Sequence, residues 1–238
     1  MNQKISIVIP VFNESKNLKS FDLRLKSVTS SFPGFNWEYI FVNDGSHDDS
    51  MGELRELASK NENNVVIDLS RNFGKELALT AGVFEASDPD ALICIDADLQ
   101  HPPELIPQMI NSWNDGADIV ATIRISIEKQ PILRKMGSKV FYWLMSKISG
   151  TKMESQTTDF RLYDKKVIKA FSQMTEHERM FRGIMDWMGF RKIYLEFEAS
   201  ARQEGSPGYS YPKLIELAVN SITSFSLWPL KVTGYLGL

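Results

Sequence analysis

The chain alternates short, continuous apolar runs with longer segments whose apolar residues recur every three or four positions. A run that is apolar on both sides is typical of a strand covered by helices on both faces. The runs cover residues 5–11, 37–42, 65–69, 91–95 and 118–123. Between the runs, apolar residues at helical spacing, such as Leu18, Phe21, Leu25 and Val28, predict the helices that cover the strands. The pattern predicts an α/β fold with a mostly parallel, doubly wound sheet.

Polar and proline residues mark where the predicted helices begin. Asn13, Glu14 and Ser15 offer caps for the first helix, and a later helix starts near Lys75. A Pro-Pro pair at 102–103 suits the first turn of the helix that follows the fourth strand. These signals place a helix after each of the first four strands.

The second half of the chain has less regular elements. Residues 135–149 have the spacing of an amphipathic helix, and residues 157–166 contain a short strand before a helix at 165–174. Residues 192–198 alternate between apolar and polar, like a half-exposed strand. A loop with two glycines and two prolines covers 202–212, and a last helix begins at about Lys213.

The end of the chain is apolar and aromatic. We predict a catalytic domain over 1–211 and an amphipathic segment over 212–238 that lies against a membrane surface. Trp228 and Tyr235 favour the bilayer interface, and helical spacing aligns Leu214, Leu217, Ala218, Ser221, Ile222 and Phe225. The alternative is that this stripe packs on the catalytic domain. No stretch reaches the roughly 18 apolar residues of a membrane span.

Composition narrows the class of protein. The 238 residues suffice for one large α/β domain or two small ones, and a net charge of −3 gives no reason to expect nucleic acid as a partner. The single cysteine, Cys94, excludes an intrachain disulfide, and its apolar surroundings indicate a core position. The oligomeric state stays open, with a homo-oligomer as one alternative.

Polar clusters follow four of the predicted strands directly. In a doubly wound sheet, ligands bind beyond the carboxyl ends of the strands. The clusters are Asn13-Glu14, Asn43-Asp44, Ser70-Arg71-Asn72 and the Asp-Ala-Asp sequence at 96–98. Their coincidence at one edge of the sheet predicts a ligand site there.

The two aspartates follow a strand that is otherwise apolar. Oxygen ligands beside a phosphate suit Mg²⁺ or Mn²⁺, although an Asp-x-Asp sequence alone also fits a loop or capping role. We expect the strand to end before them, with Asp98 the more direct ligand and Gln100 a neutral oxygen donor. His101 is a further candidate ligand, but the prolines that follow it favour a surface histidine.

Other charged residues have two interpretations each. Asp44 could accept a base N–H or serve only the turn, and Glu14 could accept a ribose hydroxyl or serve as a first-turn helix charge. Arg124, Arg134 and Arg202 are natural partners for phosphate, or surface charges.

Taken together, these motifs resemble one family. IVIPVFNE, VNDGS, LSRNFGKE, IDADLQHPPE, TDFRL and ITSFS-x-x-PLK are similar to inverting glycosyltransferases of the GT-A fold. The similar branch glycosylates polyprenyl phosphates and includes dolichyl-phosphate mannose synthases and bactoprenol glucosyltransferases. The resemblance spans about residues 5 to 238. It implies two or more transmembrane helices beyond residue 238.

The resemblance also implies roles for single residues. Asp159 corresponds to the proposed catalytic base, although it could instead orient the acceptor, and Arg202 to the loop arginine that closes over the nucleotide. Arg124 and Arg134 correspond to ligands of the acceptor or donor phosphate. The nucleoside set is Pro10, Phe12, Glu14, Val42 and Asp44, and the metal and diphosphate set is Asp96, Ala97, Asp98 and Gln100. Pro207 and Gly208 depart from the family pattern, which has serine and lysine there.

The expected reaction transfers a hexose, glucose or N-acetylglucosamine, from a UDP-sugar to a polyprenyl phosphate with inversion. It would use Mg²⁺ or Mn²⁺ and take place at the cytoplasmic face of the cell membrane. The alternatives are a glycosyltransferase with a soluble polysaccharide or protein acceptor, and a nucleotide-binding protein of the same fold without catalytic activity.

Overall fold

The apolar runs form the strands of one sheet, and the segments between them form helices. The computed structural model describes residues 3–125, 157–174 and 181–198. Its strands are β1 (Gln3–Val11), β2 (Phe35–Asn43), β3 (Asn64–Asp68), β4 (Ala91–Cys94), β5 (Ile119–Ile125), β6 (Thr157–Asp164) and β7 (Lys192–Glu198). Its helices are α1 (Ser15–Thr29), α2 (Ser50–Lys60), α3 (Lys75–Glu85), α4 (Ile106–Asn114, after a 3₁₀ turn at Pro103–Leu105), α5 (Lys165–Ser172) and α6 (Phe181–Trp187).

The sheet has seven strands in the order β3-β2-β1-β4-β6-β5-β7. Strands β1 to β4 pair in parallel, β7 is parallel to β5, and β6 is antiparallel to both of its neighbours. The predicted mostly parallel α/β sheet is therefore confirmed. Its C-terminal amphipathic helices were also predicted, but they lie outside the described residues.

Strand β6 places its beginning at the edge where the parallel strands end. Cys94 pairs with Arg161 in the antiparallel register of β4 and β6. Extending that register by two residues brings Asp159 level with Asp96. The candidate catalytic base, Asp159, thus comes from the second half of the chain to the Asp-Ala-Asp sequence.

Each face of the sheet has its own core. Alternate residues of β1 (Ile5, Ile7 and Ile9) face α1, α2 and α4. On the other face, Val8 and Val42 pack with α3, α5 and α6, and Cys94 is buried there, as predicted. Helix α3 approaches closely because Gly82 has no side chain, and a Cβ there would lie 2.3 Å from Val8 Cγ1.

The described residues lie in a compact unit formed by Met1–Ile125 and Thr157–Gln203. The predicted helix at 135–149, the loop at 202–212, the helix from Lys213 and the boundary between 211 and 212 lie outside the described residues. Within the described ranges, no helix has the length and apolar character needed to cross a membrane.

Candidate active site

The loops after β1 and β2 interlock at the carboxyl edge of the sheet. Asn13, whose φ of 58° lies in the left-handed region that asparagine tolerates, turns the chain after β1. Its backbone N–H donates to Ser46 Oγ at 3.0 Å, and its Oδ1 accepts the N–H of His47 at 2.8 Å. The rings of Phe12 and His47 meet edge to face with centroids 6.2 Å apart. This contact gives the edge an aromatic surface.

The capping of α1 differs from the prediction. The helix begins after Glu14, whose side chain makes no capping hydrogen bond. Instead, the N–H groups of Glu14 and Ser15 donate to Ser50 Oγ at 2.9 Å and Asp48 Oδ2 at 3.0 Å. The cap therefore comes from the loop after β2, because the two parallel strands end side by side.

Asp44 is buried and organises the loop between β3 and α3. Its carboxylate accepts the N–H groups of Phe73 at 2.7 Å and Gly74 at 3.0 Å, and the amide of Asn72 at 3.0 Å. The loop can come this close because the neighbouring residue is Gly45, whose φ is +64° and where a Cβ would lie 2.4 Å from the Arg71 carbonyl carbon. Asp44 therefore has a structural role in holding this loop. Its predicted hydrogen bond with the nucleotide base stays a prediction.

Asp96 and Asp98 both follow the last residue of β4, as expected from the sequence. Leu99 has a φ of 61°, a strained conformation for a non-glycine residue that is common at functional sites. The turn brings the N–H of Gln100 to Asp98 Oδ1 at 3.1 Å. Carboxylate and imidazole atoms of Asp96, Asp98 and His101 lie within 4.8 Å of one another, which is close enough to share a metal ion.

The expectation that His101 lies on the surface is wrong. The residue is only 7% exposed, because its ring stacks on Phe160 at 5.6 Å and meets Phe197 edge to face at 6.0 Å, both measured between ring centroids. Those partners come from β6 and β7, which are distant in the chain. The prolines next to His101 therefore gave no indication that it is buried.

His101 also fits a metal site electronically. Its Nδ1 is buried, lies 3.5 Å from Asp96 Oδ2, and has no hydrogen-bond partner among the residues described. Burial lowers the pKa of His101 despite the opposing charge of Asp96, so the imidazole is neutral at pH 7. A neutral imidazole beside two carboxylates is a suitable donor set for a divalent transition metal.

Lys75 joins the aspartates after β4 to Asp159. Its ammonium Nζ lies 2.6 Å from Oδ1 and 2.7 Å from Oδ2 of Asp96, and 2.6 Å from Oδ2 of Asp159. Arg182 Nη1 lies 3.6 Å from the other oxygen of Asp159. The sequence interpretation assigned no role to Lys75, although its place at the start of a helix beside the active edge was a usable signal.

Charge and burial set the protonation of this cluster. Burial alone raises the pKa of Asp159, but the charges of Lys75 and Arg182 outweigh it and hold that pKa well below its usual range. Burial alone lowers the pKa of Lys75, but Asp96 and Asp159 outweigh it and raise that pKa. The pKa of Glu76 is raised, mainly by burial and secondly by the negative charge of Asp159. Asp159 is thus an anion and Lys75 a cation at neutral pH.

The remaining predicted residues divide into four groups. Arg124, exposed at the end of β5, donates from Nη1 to Gln100 Oε1 at 3.2 Å and so lies beside the aspartates. The side chains of Val42 and Ala97 are buried in the core, and their predicted contacts with the nucleotide sugar stay predictions. Phe12 is 42% exposed at the edge, while Pro10 is half-buried on β1. Arg134 and Arg202 lie outside the described residues.

Comparison with known proteins identifies the family of the chain. Residues 6–172 match the family model described as glycosyl transferase family 2. The chain is 40% identical over 237 residues to an uncharacterized glycosyltransferase of Synechocystis sp., covering 100% of this chain and 74% of that protein. It is 37% identical over 235 residues to a prophage bactoprenol glucosyl transferase homolog of Escherichia coli, covering 99% and 76%.

A solved structure shares the fold. Glucosyl-3-phosphoglycerate synthase from Mycobacterium tuberculosis, determined with Mn²⁺, UDP and glucosyl-3-phosphoglycerate, superposes with a TM-score of 0.61 at 17% identity. The superposition covers 92% of this chain and 76% of that one. With the family model matching most of the chain and close relatives along almost its full length, the chain belongs to glycosyl transferase family 2 and is a glycosyltransferase.

Proposed function

We propose that the chain transfers a hexose, glucose or N-acetylglucosamine, from a UDP-sugar to a polyprenyl phosphate. The observation that carries the proposal is the group of Asp96, Asp98 and His101 beside Asp159 at one edge of the sheet. The acceptor is supported by the Escherichia coli relative, which is named a bactoprenol glucosyl transferase homolog. The donor is supported by the synthase of similar fold that was solved with UDP.

Asp96, Asp98 and His101 would hold a divalent cation. The synthase of similar fold was solved with Mn²⁺. An imidazole in the set favours Mn²⁺ over Mg²⁺, because Mg²⁺ prefers oxygen ligands alone. When bound, the ion neutralises negative charge that develops on the leaving diphosphate. Gln100 remains a candidate oxygen donor, with its amide oxygen directed by Arg124.

Asp159 would orient the acceptor rather than deprotonate it. A phosphate monoester is already largely ionised at pH 7, so its oxygen needs no general base to attack the anomeric carbon. Asp159 is itself held as an anion between Lys75 and Arg182. A carboxylate with such a low pKa is a poor proton acceptor at neutral pH. Arg124 supplies a cation for the acceptor or donor phosphate at the same edge, and Arg134 keeps its predicted role as a ligand of one of these phosphates.

The nucleoside would lie on the loops after β1 and β2. Phe12 offers an exposed aromatic face beside His47, and Glu14 and Asp44 offer carboxylates. Pro10, through its place near the end of β1, would shape this surface. Arg202 would close over the nucleotide from its glycine- and proline-containing loop.

We further propose that residues 212–238 dock on the cytoplasmic face of the membrane and bring the active edge to the lipid phosphate. The apolar stripe from Leu214 to Phe225, with Trp228 and Tyr235, supports this docking. Co-sedimentation with anionic vesicles tests it, by comparing the 238-residue chain with one that ends at Tyr211. Equal partitioning of the two chains would contradict the docking role.

The transfer itself is tested with the 238-residue chain, UDP-[¹⁴C]glucose or UDP-[¹⁴C]GlcNAc, undecaprenyl phosphate in detergent, and Mn²⁺. Labelled lipid should form with the wild type and be lost in Asp98→Ala. Asp115→Ala removes an exposed carboxylate at the end of α4 and serves as the matched control. Transfer to a polysaccharide or protein but not to lipid would favour a soluble acceptor, and UDP binding without transfer to any acceptor would favour a non-catalytic protein.

A further inference from the structure

One ammonium group contacts two functional carboxylates at once. Lys75 Nζ lies within 2.7 Å of both oxygens of Asp96, and 2.6 Å from Asp159 Oδ2. Asp96 follows β4, whereas Asp159 belongs to β6, and the antiparallel register places them level. Lys75 therefore connects the candidate metal ligands to the candidate acceptor-orienting residue.

The position of Lys75 is itself fixed by the fold. It is the first residue of α3, and the N–H of the preceding residue, Gly74, is held by the buried carboxylate of Asp44 at 3.0 Å. A flexible surface lysine would lose side-chain entropy on making such contacts. Here the anchor fixes the backbone from which the side chain extends, and the short contacts with Asp96 and Asp159 offset that loss.

The surroundings of Lys75 are rich in negative charge. Asp96, Asp98, Asp159 and Glu76 contribute carboxyl groups, and Arg182 is the second cation that contacts Asp159. Without Lys75, the side chain of Asp96 would lose its shortest ionic contact. Among the described residues, that of Asp159 would keep only the longer ion pair with Arg182, at 3.6 Å. Both carboxylates would then be free to rotate toward the nearest cation.

We propose that Lys75 is a positioning residue for the transfer reaction, which sets the orientation of Asp96 and Asp159 and competes with the divalent cation for Asp96. Only the predicted effect on turnover rests on the proposed function; the predicted effect on Mn²⁺ binding does not. Both oxygens of Asp96 that a metal would use are in contact with the ammonium. A cation this close also opposes a second cation by direct Coulomb repulsion.

The proposal predicts that Lys75→Met increases the affinity for Mn²⁺ but decreases turnover. Mn²⁺ should bind more tightly, by about tenfold, because a competing positive charge is removed from the site. Turnover should fall about 100-fold, because the carboxylates are no longer held in register with the reacting groups. A loss of folding would instead weaken both binding and turnover.

Mn²⁺ binding to the full chain is measured by the EPR signal of free Mn²⁺, without donor or acceptor. Lys60→Met is the matched control, since Lys60 is an exposed lysine on α2 paired with Glu56. Unchanged or weaker Mn²⁺ binding in Lys75→Met overturns the proposal. Lys75→Arg retains the charge and should keep Mn²⁺ affinity within about twofold of the wild type with intermediate turnover. An arginine variant that matches the methionine variant in both respects also overturns it.

A double-mutant cycle separates action through Asp159 from an independent effect. Lys75→Met should cost little further kcat in an Asp159→Asn background, because residues that act as a unit are not additive. Fully additive losses would contradict the positioning role. If the wild type transfers no sugar to polyprenyl phosphate, the proposed function fails, and the Mn²⁺ titrations still decide whether Lys75 competes for Asp96.

Discussion

The carboxylate of Asp44, at the end of β2, accepts the backbone N–H of Phe73 at 2.7 Å, so one buried side chain holds the approach to α3. The same carboxylate holds the N–H of Gly74, and the next residue, Lys75, reaches Asp96 and Asp159. The nucleoside-binding side of the proposed site is thereby connected to its reaction centre through three consecutive residues.

Asp44→Ala should lower both stability and UDP affinity. The backbone N–H groups of Phe73 and Gly74 would lose a charged acceptor, which costs about 2 kcal/mol or more of unfolding free energy. UDP affinity in the presence of Mn²⁺ should fall at least several-fold, because the loop that leads to Lys75 is no longer held. Urea unfolding and titration calorimetry measure the two effects.

The matched control for this change is Asp49→Ala. Asp49 precedes α2, is exposed, and makes no side-chain capping bond. If Asp44→Ala were as stable as this control and bound UDP as tightly, Asp44 would hold neither the loop nor the nucleotide.

His101→Phe should weaken metal binding while the fold is retained. Phenylalanine can keep the ring contacts with Phe160 and Phe197 but offers no ligand atom. Mn²⁺ affinity should fall about tenfold or more, which is the effect expected when a metal site loses an imidazole or its support. Thermal unfolding with EDTA checks the fold, and unchanged Mn²⁺ binding would exclude His101 as a ligand.

The stability of the metal-free protein should depend on pH through His101. The folded-state pKa of His101 lies below the ordinary value of 6.5, chiefly because of burial. Below about pH 6.5 the unfolded chain therefore binds a proton that the folded chain does not, so stability is complete above that pH and declines as the pH falls.

The pH effect is measured by comparing urea unfolding at pH 7.5 and 5.5 in EDTA. The wild type should lose more stability between these values than His101→Phe, which lacks the titrating group. Equal losses in the two proteins would assign the acid sensitivity to other residues.

Gly82→Ala should destabilise the protein although alanine is the better helix former. A Cβ at Gly82 would lie 2.3 Å from Val8 Cγ1 and 3.1 Å from Val42 Cγ2, so α3 must move away from the sheet. Overpacking of this kind costs about 1 to 3 kcal/mol, which exceeds the gain in helix propensity of about 1 kcal/mol.

Gly34→Ala is the control for the glycine substitution, because a Cβ at Gly34 would meet no atom within 4 Å. Urea midpoints should fall for Gly82→Ala and stay close to the wild type for Gly34→Ala. Since α3 carries Lys75 at its first position, turnover by Gly82→Ala should also decrease. A variant as stable as the wild type would mean that α3 does not depend on this close approach.

The amino-acid sequence by itself determined the order of strands and helices and the edge at which the site forms. Continuous apolar runs and helical spacing are local properties, so they were sufficient to predict β1 to β5 and α1 to α4. A metal role for the Asp-Ala-Asp sequence could also be predicted, because it follows a strand that must be buried, and this role stays a prediction. The end of β4 before Asp96 agrees with that prediction.

Only the tertiary structure decided which side chains meet at that edge. The antiparallel position of β6 brings Asp159 level with Asp96, and neither periodicity nor motif spacing predicts where a late strand inserts. The burial of His101 depends on rings of β6 and β7, and the cap of α1 on side chains that follow β2. Lys75 gained its partners in the same way, because contacts between residues far apart in the chain exist only once the strands have paired.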